Sequence, residues 1–367
     1  MIVEQIELVA SDEVLNLAYE WLCQRRKDSG PNADVWDVRW QWDELRPRVQ
    51  ALLTTGQYRF SPTRRAWLEG EPIEIWAAQD ALVLKALAIV LGRALDGRLS
   101  PRCFHLAGRG RSKAAVRQTV AAARENTFVF RSDVKSYYAS IRHDILMREV
   151  RRFVDDPIVL DLIHQYADRM MCDGGVYTHI TTGISLGCPL SPLMAAIFLS
   201  RLDEAMEAIG LFCAGYMDDW VVLAPTRWKL RRAVPVINQI LNDLAVEQHP
   251  DKTFVGRVER EIDFLGYHFA VEKSPGRAGS YRPEVLRDER PEDRPVGTGP
   301  TVVLSVAATT LRQFERRVSR LYEQDSTGNR VREYVKRFQQ WLRSGLSGID
   351  VSFVIPADPS GITNATV

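Results

Sequence analysis

Tyr216-Met217-Asp218-Asp219 lies between two short apolar runs, 211–214 and 221–224. Adjacent carboxylates at the tip of a hydrophobic hairpin repel each other unless a cation neutralises them. Another acid, Asp133, follows the apolar run Phe128-Val129-Phe130, with Tyr137 and Tyr138 four and five residues on. Each feature alone has a plain reading: Asp155-Asp156, ahead of Pro157, is a polar turn, and two tyrosines can be core rings. Together, a strand-end carboxylate and a hairpin-tip pair are what two-metal phosphoryl transfer requires. Three acids would converge on two Mg2+ ions about 3.5–4 Å apart, one activating the attacking oxygen and one holding the leaving phosphate. A third element, Gly183-Ile184-Ser185-Leu186-Gly187-Cys188-Pro189-Leu190-Ser191-Pro192, reads as a loop feeding a helix. Its glycines permit close backbone approach, and Ser191 is expected to cap the helix ahead of Pro192 at its first position.

These residues need a scaffold, and the pattern supplies a mixed α/β (α+β) one. Apolar spacing predicts helices over 12–27, 36–53, 81–95, 144–154, 193–208 and 228–244. Strands are expected at 128–130, 211–214, 221–224 and 264–269, with a hairpin over 65–68 and 73–77 around Glu69-Gly70-Glu71-Pro72. Five prolines between 273 and 301 mark a linker, and 303–343 reads as helical with nine Lys/Arg against four acids. The expected division is an N-terminal helical extension (1–35), a main unit (36–272), a linker (273–301), a small helical unit (302–345) and a tail (346–367).

The composition suits a packed protein: 367 residues, 46% hydrophobic, 26% charged, with a mean hydropathy of −0.19. A disordered chain would be poorer in apolar residues. Forty-eight basic residues against 47 acidic ones give a net charge of +1, so any case for nucleic acid must be local. Two local cases exist: Arg102, Arg109, Arg111, Lys113 and Arg117 form an acid-free stretch, and Arg312, Arg316, Arg317 and Arg320 recur at helical spacing. Five scattered cysteines, no apolar run long enough for a bilayer and an acidic N-terminus predict a cytoplasmic protein with no membrane partner. The six histidines show no ligand spacing and read as structural.

The ordered set Asp133…Tyr138, Gly183…Gly187…Ser191-Pro192, Tyr216-Met217-Asp218-Asp219, Lys252-Thr253 and Phe264-Leu265-Gly266-Tyr267 resembles reverse transcriptases. The resemblance is closest to the bacterial branch of group II intron, retron and defence-associated enzymes, and it covers roughly residues 40–270. It implies a right-hand polymerase with fingers, palm and a C-terminal helical thumb. The implied activity is RNA-directed DNA synthesis, in which a primer 3′ hydroxyl is extended with dNTPs, serving antiviral defence. Asp133, Asp218 and Asp219 would bind two Mg2+ (or Mn2+) ions, and Lys252 would neutralise departing pyrophosphate. Val134, Tyr138, Gly187, Arg109 and Lys113 would meet the nucleotide, with Tyr138 excluding a ribose hydroxyl. Gly266 and Tyr267 would grip the primer, and Arg312, Arg316, Arg317 and Arg320 would hold the duplex. The partners implied are an RNA template (among them a dedicated non-coding RNA), the DNA product and dNTPs, with a homo- or hetero-oligomer left open.

Two departures mark a divergent member. Ser185-Leu186-Gly187 stands where the family has Pro-Gln-Gly, and the hairpin holds Glu69, Glu71 and Glu74 where a Lys/Arg pair is usual. Template-independent or protein-primed synthesis is therefore an alternative, as is a maturase-like RNA-binding scaffold without catalysis.

Overall fold

The computed structural model describes residues 5–68, 71–260, 262–272, 301–324, 328–344 and 346. The expected linker up to residue 300, Glu69 at the hairpin tip and the tail beyond 346 lie outside the described residues. Four helices come first: α1 (Gln5–Val9), α2 (Asp12–Arg25), α3 (Val35–Trp40) and α4 (Trp42–Thr54). The helix expected over 36–53 is thus two. The break at Gln41 re-aims the chain so that Trp42 is buried and stacks on Tyr19 at 4.4 Å, while Trp40 stays in solvent. Strands β1 (Thr63–Leu68) and β2 (Glu71–Ile75) form the expected hairpin. Helix α5 (Ala78–Ala94) is buried along most of its length and packs on α2.

Next come α6 (Arg111–Ala123), β3 (Phe128–Asp133), α7 (Tyr137–Ser140), α8 (His143–Val150) and α9 (Pro157–Ala167). Asp156 earns its place as the cap of α9, accepting from the Ile158 and Val159 amides, while its other oxygen accepts from the Ile6 amide at 2.8 Å. Strands β4 (Met170–Asp173) and β5 (Val176–His179) extend the first hairpin into a sheet ordered β2-β1-β4-β5. Helix α10 (Ser191–Ala208) begins at Ser191, with Leu190 as its N-cap residue. The Ser191 hydroxyl does not cap it; buried, it donates to the Ser185 carbonyl instead.

The central sheet is built from β3, β6 (Phe212–Tyr216), β7 (Asp219–Ala224) and β8 (Phe254–Arg257), ordered β6-β7-β3-β8 and antiparallel throughout. Helix α11 (Arg227–Asp243) follows β7. Alternate side chains enter two different cores: Phe130, Trp220, Val222 and Ala224 join the helical core with α10 and α11. Val129, Val221 and Leu223 join another with α6 and the C-terminal sheet. Burial on both faces explains why 221–224 is an unbroken apolar run rather than an alternating one.

The run 264–269 is not one strand. β9 (Ile262–Phe264) and β10 (Tyr267–Glu272) are separated by a Leu265-Gly266 turn, both residues with positive φ (50° and 85°). Thr301–Val306, expected to begin a helix from 303, is strand β11 pairing with β10. Its β-branched residues suit a pleated surface better than a helix. Helices α12 (Ala308–Gln324) and α13 (Asn329–Arg343) follow and pack through Phe314, Val318 and Val331.

Candidate active site

Strand pairing brings the acids together. Asp133 at the end of β3 sits opposite Asp219 at the start of β7, and Tyr216 pairs with Asp219 across a two-residue Met217-Asp218 turn. The Asp218 carbonyl accepts from the Val134 amide at 3.1 Å, locking the hairpin tip to the end of β3. Met217 has φ 58°, a left-handed conformation that a bulky residue holds only when its surroundings fix it.

His105, which sequence reasoning set aside as structural, supplies part of that fixing. Its Nδ1 accepts from the Met217 amide at 3.1 Å, so its Nε2 carries the proton and donates to the Pro192 carbonyl at 3.0 Å. Burial lowers its pKa to about 4, which keeps the ring neutral and this tautomer available. The imidazole thus ties the turn bearing the acids to the first turn of α10. The only sequence signal for it was its place beside the Arg109-Gly110-Arg111 run.

The three carboxylates have different company. Asp133, 7% exposed, accepts from the Lys252 amine at 2.8 Å. Asp219 meets the Arg131 guanidinium at 3.4 Å. Asp218 has no ion-pair partner among the described residues. Burial, and then the neighbouring Asp133 charge, push its pKa up to about 6; burial does the same for Asp219, against the pull of Arg131 and a hydrogen bond from the Leu265 amide. Carboxylate oxygens are hard donors suited to Mg2+ or Mn2+. Among the described residues no three groups are gathered tightly enough to ligate one ion. Asp133 and Asp218 are the pair that fits, since their mutual repulsion is what a divalent cation relieves.

The Gly-rich loop lies against the same place. The Gly183 amide donates to Ile141 and the Ile184 amide to Tyr138, both at 2.8 Å. Gly183 has φ 90°, and a Cβ there would stand 3.0 Å from the Tyr138 carbonyl oxygen. Tyr138 itself directs its hydroxyl to the Met217 sulfur at 3.3 Å, and burial and Asp218 raise its pKa. Tyr137 is the core ring, bonded to the Ala195 carbonyl. Gly187 has open space around it and Leu186 is 49% exposed. Val134 is fully buried, and its amide is already used by Asp218.

Other expected contacts are placed elsewhere. Arg109 spends its guanidinium on the Ser100 and Leu99 carbonyls and on Asp96. The Lys113 amine contacts the Tyr267 hydroxyl and the Trp341 carbonyl, with both rings 4.3–4.6 Å away. Burial lowers its pKa to about 8. Both basic residues are therefore committed to protein packing. Tyr267 is buried and the Gly266 carbonyl accepts from Ala307 and Thr310, so of this segment the Leu265 amide is what meets Asp219. Glu74 does not repel incoming phosphate as a bare charge, because it forms a buried ion pair with Arg169. Arg312, Arg316 and Arg320 line the exposed side of α12, while Arg317 is half-buried.

Residues 84–269, half of the chain, match the family profile described as reverse transcriptase (RNA-dependent DNA polymerase). Protein YkfC of Escherichia coli (strain K12) is 23% identical over 183 residues, covering 46% of this chain and 47% of YkfC. An "Uncharacterized 91 kDa protein in cob intron" of Schizosaccharomyces pombe is 28% identical over 166 residues, 44% of this chain and 20% of that protein. The chain therefore spans less than half the length of these relatives. Among the described residues no helix is long and apolar enough to cross a membrane. With its acids, glycine loop and paired strands inside the matched segment, the chain belongs to the reverse transcriptase family.

Proposed function

We propose that the protein is an RNA-directed DNA polymerase, with the β6-β7-β3-β8 sheet as palm, the β1-β2 hairpin as part of the fingers and α12-α13 as thumb. The observation that carries this reading is the strand pairing that sets Asp133 beside the Asp218-Asp219 turn, with the Asp133 and Asp218 carboxylates close enough to repel each other. Two Mg2+ ions bound there would activate the primer 3′ oxygen and stabilise the charge leaving with pyrophosphate. The chain's own residues do the rest. Asp133 and Asp218 provide the negative cradle, and their raised charge density favours cation entry. Lys252, half-exposed and ion-paired with Asp133, would be the cation at hand for the pyrophosphate oxygens. Tyr138, beside Met217, offers its ring where a ribose 2′ hydroxyl would clash. Arg64, exposed on β1, is left to meet the triphosphate, since Arg65 pairs with Asp173.

A variant of the same chemistry, synthesis without a template, is favoured by Leu186. An exposed aliphatic side chain takes the place of the family's glutamine and offers no hydrogen bond to the nucleotide. Incorporation of labelled dNTP on an RNA template with a DNA primer, in Mg2+ and in Mn2+, tests both. Template-dependent product is the expected result, and product of equal yield without template would transfer the reading to the variant. No product in either metal, with RNA binding retained, would leave the scaffold. The proposed role in antiviral defence rests on the resemblance alone. Phage plating on cells with and without the protein tests it, and equal efficiencies would remove it.

A further inference from the structure

At the end of the central sheet away from the acids, a groove of about 410 Å³ runs between the first turns of α11 and the edge strand β8. Phe128 in its wall lies five residues before Asp133, roughly 17 Å along β3. Arg227, Arg231 and Arg257 line it, together with Phe128 and Val255, and Val255 is 52% exposed on the unpaired edge. Lys229 and Arg232 extend the same positive field from α11. Among the described residues none of the four α11 cations forms an ion pair, and Arg257 has only Glu259 as an acidic partner, at 4.0 Å, with its guanidinium 5.7 Å from the Phe128 ring.

This arrangement works against the helix that carries it. The first turn of α11 contains no acid, and cations there oppose the positive end of the helix dipole. Arg227 and Arg231, four residues apart, also repel each other. A solvated face gains nothing from such a pattern, whereas a polyanion laid in the groove would reverse both costs. Trp228 gives a second, independent pointer. It is 73% exposed, with the Arg231 guanidinium 5.5 Å from its ring. Cationic grooves with a projecting aromatic side chain hold single strands, the phosphates by charge and the unpaired bases by stacking.

We infer that this groove docks single-stranded RNA, holding the uncopied part of the template well away from the reaction. The commitment to RNA rests on the proposed function: the DNA product stays paired with its template, so the unpaired polymer in such a reaction is RNA. Groove and acids stand at opposite ends of one rigid sheet, which would set the path of the strand between them.

The test is binding of an unstructured 20-nucleotide RNA, and of DNA of the same sequence, across a salt series. It compares the parent with Arg227→Ala/Arg231→Ala/Arg257→Ala and with Trp228→Ala. Three lost phosphate contacts should reduce the salt slope for RNA by about 2, at about 0.7 per contact on a single strand. Trp228→Ala should weaken RNA binding about tenfold or more with the slope unchanged. Extension of a primer whose template overhang is only a few nucleotides, too short to reach the groove, should keep the parental rate in both variants. An unchanged RNA affinity and slope would overturn the proposal, and a fall in oligomer mass in the same variants would assign the groove to a second copy of the chain. An equal loss for DNA would overturn the commitment to RNA. If the parent extends no primer yet the variants lose RNA binding, the groove stands and the polymerase reading fails.

Discussion

At the scale of single residues, the acids make the sharpest prediction. Asp218→Asn with Asp219→Asn should abolish dNTP incorporation while leaving the fold intact, and incorporation at the parental rate would sink the metal assignment. The pH dependence has a definite sign. Both carboxyls have folded pKa values near 6 against an ordinary value of 3.8, so their charged forms destabilise the fold above pH 6 and cost nothing below about pH 3.8. In metal-free buffer the double variant should therefore be more stable than the parent at pH 7–8, by on the order of 1 kcal/mol, with the difference closing as pH falls to 4. Chemical denaturation at both pH values measures it. Tyr138→Ala should lower the ratio of kcat/KM for dNTP over rNTP, and an unchanged ratio would make Tyr138 packing alone. His105 is a positioning residue. His105→Ala leaves the part-buried Met217 amide without its acceptor, a loss of about 1–3 kcal/mol. Primer-extension kcat should fall tenfold or more with little change in primer KM, and His105→Gln, which offers both an acceptor and a donor, should recover part of it. Equal loss in both variants at unchanged kcat would mean that the ring only fills space.

At the scale of elements, the sheet-to-loop connection can be tested through Glu74 and Arg169. Arg169 binds Glu74 on β2 and also donates to the Gly183 and Ala167 carbonyls, so one guanidinium joins the hairpin to the Gly-rich loop. Glu74→Ala should destabilise the protein by about 3–5 kcal/mol by leaving that buried charge unpaired, and thermal melting measures it. A loss below about 1 kcal/mol would show that solvent reaches the pair. This contact also marks the limit of what the sequence made legible. The hairpin was readable from its Gly-Pro turn, and β7 from its apolar run. Which charge Glu74 faces was not, because its partner is 95 residues away and local patterns carry no such information. The same holds for Lys113, readable as a phosphate contact until Trp341, 228 residues on, was placed over it. The boundaries at Gln41 and Thr301–Val306 were missed for another reason, tertiary packing overriding helical periodicity, while at Leu265-Gly266 a positive-φ turn interrupts what reads as one strand. The acids were legible because strand ends and a two-residue turn position them locally.

At the scale of the whole molecule, α12 presents Arg312, Arg316 and Arg320 along one exposed side, four residues apart. Replacing all three with alanine should lower the salt slope of binding to a primer-template duplex by about 0.9 per lost phosphate contact. The rate at saturating duplex should change far less. A parental slope with loss of oligomer mass would make α12 an assembly element.

The aromatic box around Lys113 has a consequence for modularity. Its amine comes from α6, its rings from β10 and α13, and β11 completes the sheet to which β10 belongs. A recombination joint between residues 272 and 301 would therefore cut through one cooperative unit rather than between two. A foreign C-terminal segment would have to bring its own partner strand for β10 and an aromatic lid for a cation. Without them it would leave Tyr267 bare and a half-dehydrated ammonium uncovered. Exchange of this end among relatives is thus constrained by a side chain that lies outside the exchanged segment.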